Sequence, residues 1–311
     1  MILLENTDFT PKEKIVCALG LFDGVHLGHR LIISKAVELA EKTGGKSAVF
    51  SFKTNTVTSK GHDGRLEMLI SDRQKQDKME KIGVDYIYSP DFESLRSLSP
   101  EEFVRDVLVK KMNCAVAVCG TDFTFGRFAK GKASDLEKIG EKYGMKTVVV
   151  SPLLYEGEVI SSTRIRQYVR EGKISLANKL LGEPFAFELP VEYGLQLGRT
   201  WGFPTINQEI PAHRVMPQFG VYCSKVYIDK KSYVGVTNIG VKPTVENTAG
   251  NPLAETFIVD FQGDVYGKTV KTELYEFVRK EKKFRDFEEL KEEIGRNTTQ
   301  VINYFRGNYN E

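Results

Sequence analysis

The stretch KIVCALGLFDGVHLGHRLIISKAVELAEKTGGKSAVFSF, residues 14–52, decides the fold. Its opening KIVCALGLF is a short apolar run of strand length, and SAVFSF at its end is another. Between them Ile32, Ile33, Ala36, Val37 and Ala40 recur at helical spacing, and Gly44-Gly45 supplies the residues that tolerate the left-handed turn closing a helix. Strand, helix and strand in this order make a βαβ unit, which requires parallel strands. The alternation continues: helix-like RLEMLISDRQKQDKMEKIG leads to DYIY, PEEFVRDVLVKKM to AVAVCG, and DLEKIGEKYG to KTVVVSP. The expectation is an α/β doubly wound, mostly parallel, Rossmann-like sheet up to about residue 155.

Two further helical stretches, STRIRQYVREG and SLANKLLG, precede EPFAFELP, which is flanked by prolines and lacks helical period. It reads as the linker, residues 183–190, between a first domain 1–182 and a second domain 191–311. Beyond it VYCSKVYID, SYVGVTNIG, ETFIVDFQG and TVKTELYEFV are strand-like and separated by Gly, Pro, Asn and Asp. These predict a small antiparallel β-barrel. RDFEELKEEIGRNTTQVINYF then closes the chain as a helix, with Phe287, Leu290, Ile294, Val301 and Phe305 as its packing face. No internal repeat or low-complexity tract interrupts this plan.

Composition excludes several classes. The apolar fraction of 41% and charged fraction of 28% are those of a soluble globular chain, and no run has the roughly 18 apolar residues of a membrane helix. The N-terminal MILLENTDFTPKEK has no basic lead and only a three-residue apolar run, so a secretory signal is not expected and the cytoplasm is. Charge is close to balance up to residue 184 (28 basic against 25 acidic) and beyond it (16 against 17), which gives nucleic acid no basic surface. Cys17, Cys114, Cys119 and Cys223 form no C-x-x-C pair, so neither zinc nor disulfides are expected. Oligomeric state is left open.

GLFDGVHLGH, Gly20–His29, stands at the carboxyl end of the first strand, where open α/β sheets bind ligands. A helix beginning near Val25 or Leu27 would offer unpaired amides to phosphate and place His26 and His29 one turn apart on one face. Gly24 and Gly28 would let phosphate oxygens approach the backbone. The stretch resembles the H-x-G-H signature of nucleotidylyltransferases, in the F-D-G-x-H-x-G-H form of bacterial flavin adenylyltransferases. The resemblance implies catalytic roles for His26 and His29 in adenylyl transfer from ATP and ATP contacts from Gly20, Phe22, Asp23, Gly24 and Gly28. ISSTRIR, Ile160–Arg166, resembles the same superfamily's second phosphate element: Ser161 or Ser162 could cap a helix while Ser162, Thr163 and Arg166 bind ATP. GTDFTFGRFAKG, Gly120–Gly131, resembles the flavin-side loop and implies flavin contacts from Asp122, Phe123 and Phe125; Phe123, Phe125 and Phe128 could wall a planar ring or serve as core. The chain departs from the family after the second strand, where SFKTNTVTSK replaces a P-H-P stretch.

LGRTWGFPTINQ, Leu197–Gln208, resembles the riboflavin kinase signature G-R-x-x-G-x-P-T-x-N. It implies ATP binding by Gly198, Arg199, Gly202, Pro204 and Thr205, with the Thr205 hydroxyl and Asn207 amide oxygen on Mg²⁺. Trp201 stands where leucine is usual. ETFIVDFQGDVYGK resembles the family's strand whose leading glutamate, Glu255, is the expected catalytic base. Period two puts Glu255, Phe257, Val259 and Phe261 on one face, an apolar row expected to raise the Glu255 pKa. TNIGVKPT and FVRKEKKF also resemble family segments, the second implying Arg279 near the flavin. Taken together the chain resembles the bacterial bifunctional riboflavin kinase/FAD synthetases. That implies FMN from riboflavin and ATP in the second domain and FAD from FMN and ATP in the first, with Mg²⁺ required. Two alternatives stay open: a riboflavin kinase with an inactive adenylyltransferase half, and a non-catalytic flavin-binding regulator.

Overall fold

The computed structural model describes residues 1–4, 10–53, 67–193, 204–241 and 252–308. It forms two compact units, Met1–Ser162 and Thr163–Glu311. The first contains β1 (Ile2–Leu4), β2 (Ile15–Leu19), α1 (Leu27–Thr43), β3 (Lys46–Phe50), α2 (Asp72–Ile82), β4 (Tyr86–Tyr88), α3 (Phe92–Leu95) and α4 (Pro100–Glu102), the last running into a π-helical stretch, Phe103–Lys111. β5 (Cys114–Gly120), the short pair β6 (Thr124–Phe125) and β7 (Gly131–Lys132), α5 (Ala133–Lys142), β8 (Lys146–Val150) and the pair β9 (Leu154–Tyr155) and β10 (Glu158–Val159) follow.

Six parallel strands lie in the order β1-β4-β3-β2-β5-β8. Every residue of β2 is buried, as a strand covered on both faces must be. Ile15, Cys17 and Leu19 share a core with Phe103, Leu108 and Leu136. α1 contributes Ile33, Ala36 and Ala40, the stripe that its periodicity predicts. It ends at Gly44, left-handed at φ 67°, whose amide closes on the Ala40 and Glu41 carbonyls. Chain order reverses at β2, so its carboxyl end is the switch point of the sheet.

α2 is shorter than its sequence pattern predicts. The pattern starts it at Arg65, yet Met68, Leu69 and Ile70 are buried outside any helix, and Ser71 is the cap, paired reciprocally with Gln74 in a capping box. The amides of Leu69 and Ile70 are taken by the Asp23 carboxylate instead of by a helical turn.

The second unit contains most of α6 (Ser162–Arg170), then α7 (Ile174–Leu181), β11 (Phe185–Pro190), β12 (Thr205–Glu209), β13 (Gly220–Ile228), β14 (Lys231–Val241), β15 (Pro252–Ile258), β16 (Thr269–Lys280) and α8 (Phe287–Asn308). Its antiparallel sheet runs β11-β16-β13-β14-β15-β12 and curls. Gln208 on β12 reaches the Leu189 carbonyl of β11 at 2.9 Å and the Val270 carbonyl at 2.8 Å, bringing the two edge strands together. The inside is partly polar, and its hydroxyls pair with one another and with an amide: Thr237 bonds Ser224 (2.7 Å) and Thr256 (2.8 Å), and Thr272 bonds Gln208 (2.7 Å). α8 covers the outside, where Val301 and Phe305 are buried with Val221, Cys223, Val236 and Tyr275; Leu290 and Ile294 are half-buried.

Two boundaries differ from expectation. The stretch expected as a linker, 183–190, contains β11, in register with β16 from Phe185↔Leu274 to Pro190↔Thr269. Phe185, Phe187 and Leu189 are buried, a period-two pattern that the flanking prolines disguise, since an edge strand tolerates a missing amide. α7 also belongs to the barrel: Asn178 donates to the Leu274 carbonyl (2.8 Å) and accepts from the Phe185 amide (2.7 Å). A fragment starting at residue 163 should therefore melt cooperatively, whereas one starting at residue 191, which lacks β11 and α7, should be insoluble or show no cooperative transition by circular dichroism.

Candidate active sites

In the first unit the turn after β2 is assembled from unusual backbone. Phe22 (φ 51°), Gly24 (φ 85°) and Val25 (φ 44°) are all left-handed, and a β-branched residue there is strained. Gly20 is required by contact: a Cβ would stand 2.9 Å from the Phe22 ring, which is buried. His26 caps α1, its Nδ1 accepting from the His29 amide at 3.3 Å. The two imidazoles stack at 3.5 Å between centroids, 19° from parallel, and Phe22 meets His29 edge-on at 5.3 Å. Both histidines thus sit at one helix start, where the macrodipole is positive. Gly28 has the His26 ring 3.3 Å from where a Cβ would be.

Asp23, expected among the ATP contacts, is 1% exposed, and its carboxylate accepts from Leu69 and Ile70. It is an anchor of the turn. Ser162 opens α6 and donates to the Asp23 carbonyl at 2.9 Å, so the second motif begins at this same turn. Thr163 is exposed and Arg166 buried. The three aromatics of the flavin-side loop divide: Phe125 is core, 5.6 Å from the Phe103 ring, Phe123 stacks on it at 5.7 Å, and Phe128 is 74% exposed. Asp122 is exposed and folds back over Gly120, where a Cβ would lie 2.8 Å from its carboxylate. The stretch that replaces P-H-P lies, from residue 54, outside the described residues.

Sequence reasoning missed Lys75. It is 4% exposed, and its ammonium donates to Ser51 Oγ (3.1 Å), the Phe52 carbonyl (3.1 Å) and the Leu21 carbonyl (3.5 Å). Burial pushes its pKa below the ordinary lysine range, against the pull of Asp72 and Asp23. Only a basic residue on the apolar side of the α2 wheel could have signalled it.

In the second unit the register does the positioning. Asn207 on β12 faces Glu255 on β15, Glu255 faces Asn238 on β14, Asn238 faces Val221 on β13, and Val221 faces Arg279 on β16. One rung across five strands thus carries three of the expected residues, with Thr205 two pairs along on the same face, opposite Phe257. The Asn207 Oδ1 is buried with no hydrogen-bond partner among the described residues. Gly198, Arg199, Gly202 and Trp201 lie outside the described residues; Pro204 is exposed. One expectation is corrected. The apolar row beyond Glu255 stops at Phe257, because β15 ends at Ile258 and Asp260 turns left-handed (φ 56°); Phe261 packs on Tyr233 in the other core. The Arg279 guanidinium bonds Glu293 (3.1 Å) and Asn297 (3.3 Å) of α8 and the Lys280 carbonyl (3.0 Å) of its own strand.

Residues 8–164 match the FAD synthetase family, and residues 181–305 match the riboflavin kinase family. The chain belongs to the bifunctional riboflavin kinase/FAD synthetase family. A Bacillus subtilis bifunctional riboflavin kinase/FMN adenylyltransferase is 37% identical over 298 residues, covering 94% of this chain and 93% of the relative. The Escherichia coli K12 protein of the same description is 33% identical over 305 residues, covering 97% and 96%. A crystal structure described as a macrolide-efflux protein from Streptococcus pneumoniae superposes with a TM-score of 0.86 at 30% identity, over 97% of this chain and 99% of that one. Among the described residues here, no helix is long and apolar enough to cross a membrane.

Asp23→Asn should leave one amide acceptor facing backbone N–H groups that now share a carboxylate. A loss of about 1–3 kcal/mol in the stability of the first unit is expected, read as a lower urea midpoint of its transition.

Proposed function

We propose that this chain makes both flavin nucleotides, phosphorylating riboflavin to FMN in the barrel unit and adenylylating FMN to FAD in the parallel-sheet unit. The family membership of both halves supports the pairing of activities, and one observation supports the kinase site most directly: the Asn207–Glu255 register pair. Glu255 takes the proton of the ribityl hydroxyl as that oxygen attacks the γ-phosphorus of ATP, the bond to the β,γ-bridging oxygen breaks, and ADP leaves. The hydroxyl of Thr205 and the amide oxygen of Asn207, which has no partner among the described residues, are hard oxygen donors that fit Mg²⁺. When bound, the ion would offset negative charge on the ATP phosphates.

In the first unit the start of α1 and the imidazoles of His26 and His29 face the ATP triphosphate. A phosphate oxygen of FMN attacks the α-phosphorus, the bond to the α,β-bridging oxygen breaks, and pyrophosphate leaves. The enzyme positions the groups and neutralises the developing charge. Ser162, Thr163 and Arg166 bind ATP phosphates from α6, the loop with Asp122 and Phe123 serves the flavin, and the substrates are small molecules throughout. The functional division follows the motifs, the adenylyltransferase to residue 182 and the kinase from residue 191, with β11 structurally part of the kinase barrel.

The two sites are separable by substitution. His29→Ala should reduce FAD formation from FMN by about 10²-fold, the scale of a lost oxyanion donor, while riboflavin phosphorylation persists. Glu255→Gln should reduce riboflavin phosphorylation by roughly 10²–10⁴-fold and leave FAD formation from supplied FMN intact. Chromatography of the flavins after incubation with Mg-ATP reads both. Equal damage to both reactions by either substitution in folded protein would refute the two-site assignment.

A further inference from the structure

Three of the four residues Phe22, Asp23, Gly24 and Val25 have left-handed backbone, two of them not glycine. Such a conformation is strained in residues other than glycine and persists only where surrounding contacts over-determine it. The contacts are visible. Val25 N bonds the Phe22 carbonyl (3.2 Å), Arg30 Nε bonds the Val25 carbonyl (3.0 Å), Ser162 holds the Asp23 carbonyl, and Asp23 is pinned to Leu69 and Ile70.

One restraint differs from these in kind. Lys75 enters from α2 and joins the carboxyl ends of two neighbouring strands, one of them the strand at the switch point: Leu21, just after β2, and Ser51 and Phe52, just after β3. Ser51 Oγ also donates to the Leu21 carbonyl at 2.8 Å, which closes the network. An ammonium has three N–H donors, and three acceptors surround this one. Burying a cation is unfavourable, so a neutral apolar side chain would be the simpler filler for the space. Among the described residues, the acids facing it are Asp72 on its own helix, 3.6 Å away, and Asp23 on the turn itself.

We infer that Lys75 is a positioning residue for adenylyl transfer, holding the strained turn Gly20–Val25 in the shape that receives the ATP phosphates. The inference rests on the adenylyltransferase reading of the first unit. Lys75 acts through Leu21 and need not touch the nucleotide. Its loss would let Leu21 and then Phe22 relax toward ordinary backbone angles, moving the start of α1.

The full-length chain provides its own control, because riboflavin phosphorylation takes place in the other unit. Lys75→Met fills the space without the donors. It is expected to raise KM for ATP in FMN adenylylation about tenfold, leave KM for FMN within about twofold, and leave riboflavin phosphorylation unchanged in the same preparation. A merely destabilised unit would lower the active fraction and with it apparent kcat, and would not shift KM for ATP alone. Lys75→Arg keeps the charge, but its planar fork cannot point at three acceptors around one atom, so an intermediate rise of about threefold is expected. An unchanged KM for ATP in Lys75→Met, or a parallel fall in both activities, overturns the inference. If the Met variant does not fold, Lys75→Arg decides, and an unchanged KM for ATP there overturns it equally. Failure of the unsubstituted chain to form FAD from FMN would refute the functional reading itself, and is told apart because it needs no substitution.

Discussion

The parallel-sheet unit depends on the buried carboxylate of Asp23. A short acidic side chain, 1% exposed, accepts from two consecutive amides 46 and 47 residues away in sequence. That contact fixes where α2 begins, since Leu69 and Ile70 can give their amides to Asp23 or to a helix but not to both. It also holds the turn between two left-handed residues, so the helix start that presents His26 and His29 is determined by it. Backbone donors to a carboxylate are among the stronger hydrogen bonds, and here they offset strain that the turn would otherwise release.

The barrel unit solves the corresponding problem by strand register. Antiparallel pairing alone sets Asn207, Glu255 and Asn238 side by side on one face, and a slip of one residue in any of these strands would send its polar side chain to the opposite face. The register is in turn held from inside, where Thr237 lies between Ser224 and Thr256 with every hydroxyl satisfied. Arg279 ends the same rung and anchors α8 by Glu293 and Asn297. The rung thus links that helix to the strand carrying Glu255.

Much of this was legible in the sequence, for specific reasons. The βαβ alternation, the stripe on α1 and the four long strands are periodic, and periodicity survives without knowledge of neighbours. His26 and His29 were legible because a cap position and one helical turn are local relations. β11 was not, because its prolines and six-residue length resemble a linker until β16 is placed beside it. The start of α2 was not, because the competitor for its amides is Asp23, far away in sequence. Phe125 and Phe123 look alike in the chain, and only the tertiary contact with Phe103 separates a core ring from a half-buried one. Lys75 carries only a faint local sign of burial, its place on the apolar side of α2, because its three acceptors come from two different strand ends.

The two proposed reactions also explain why the two units differ in the residues they offer. The attacking group in adenylyl transfer is a phosphate, already an anion at neutral pH, so no base is needed and the demand is for donors that neutralise charge on the triphosphate. A helix start with two imidazoles is such an arrangement, and Asp23, the acid in the middle of the motif, has its carboxylate turned into backbone amides. The attacking group in riboflavin phosphorylation is an alcohol, which must lose a proton as it bonds to phosphorus. Glu255 is half-buried on a strand, between two neutral amide side chains that neither pair with it as ions nor repel it. Both reactions use ATP, and in this reading the difference lies at the nucleophile: one that arrives charged needs only groups that neutralise charge, and one that arrives neutral needs a carboxylate to take its proton.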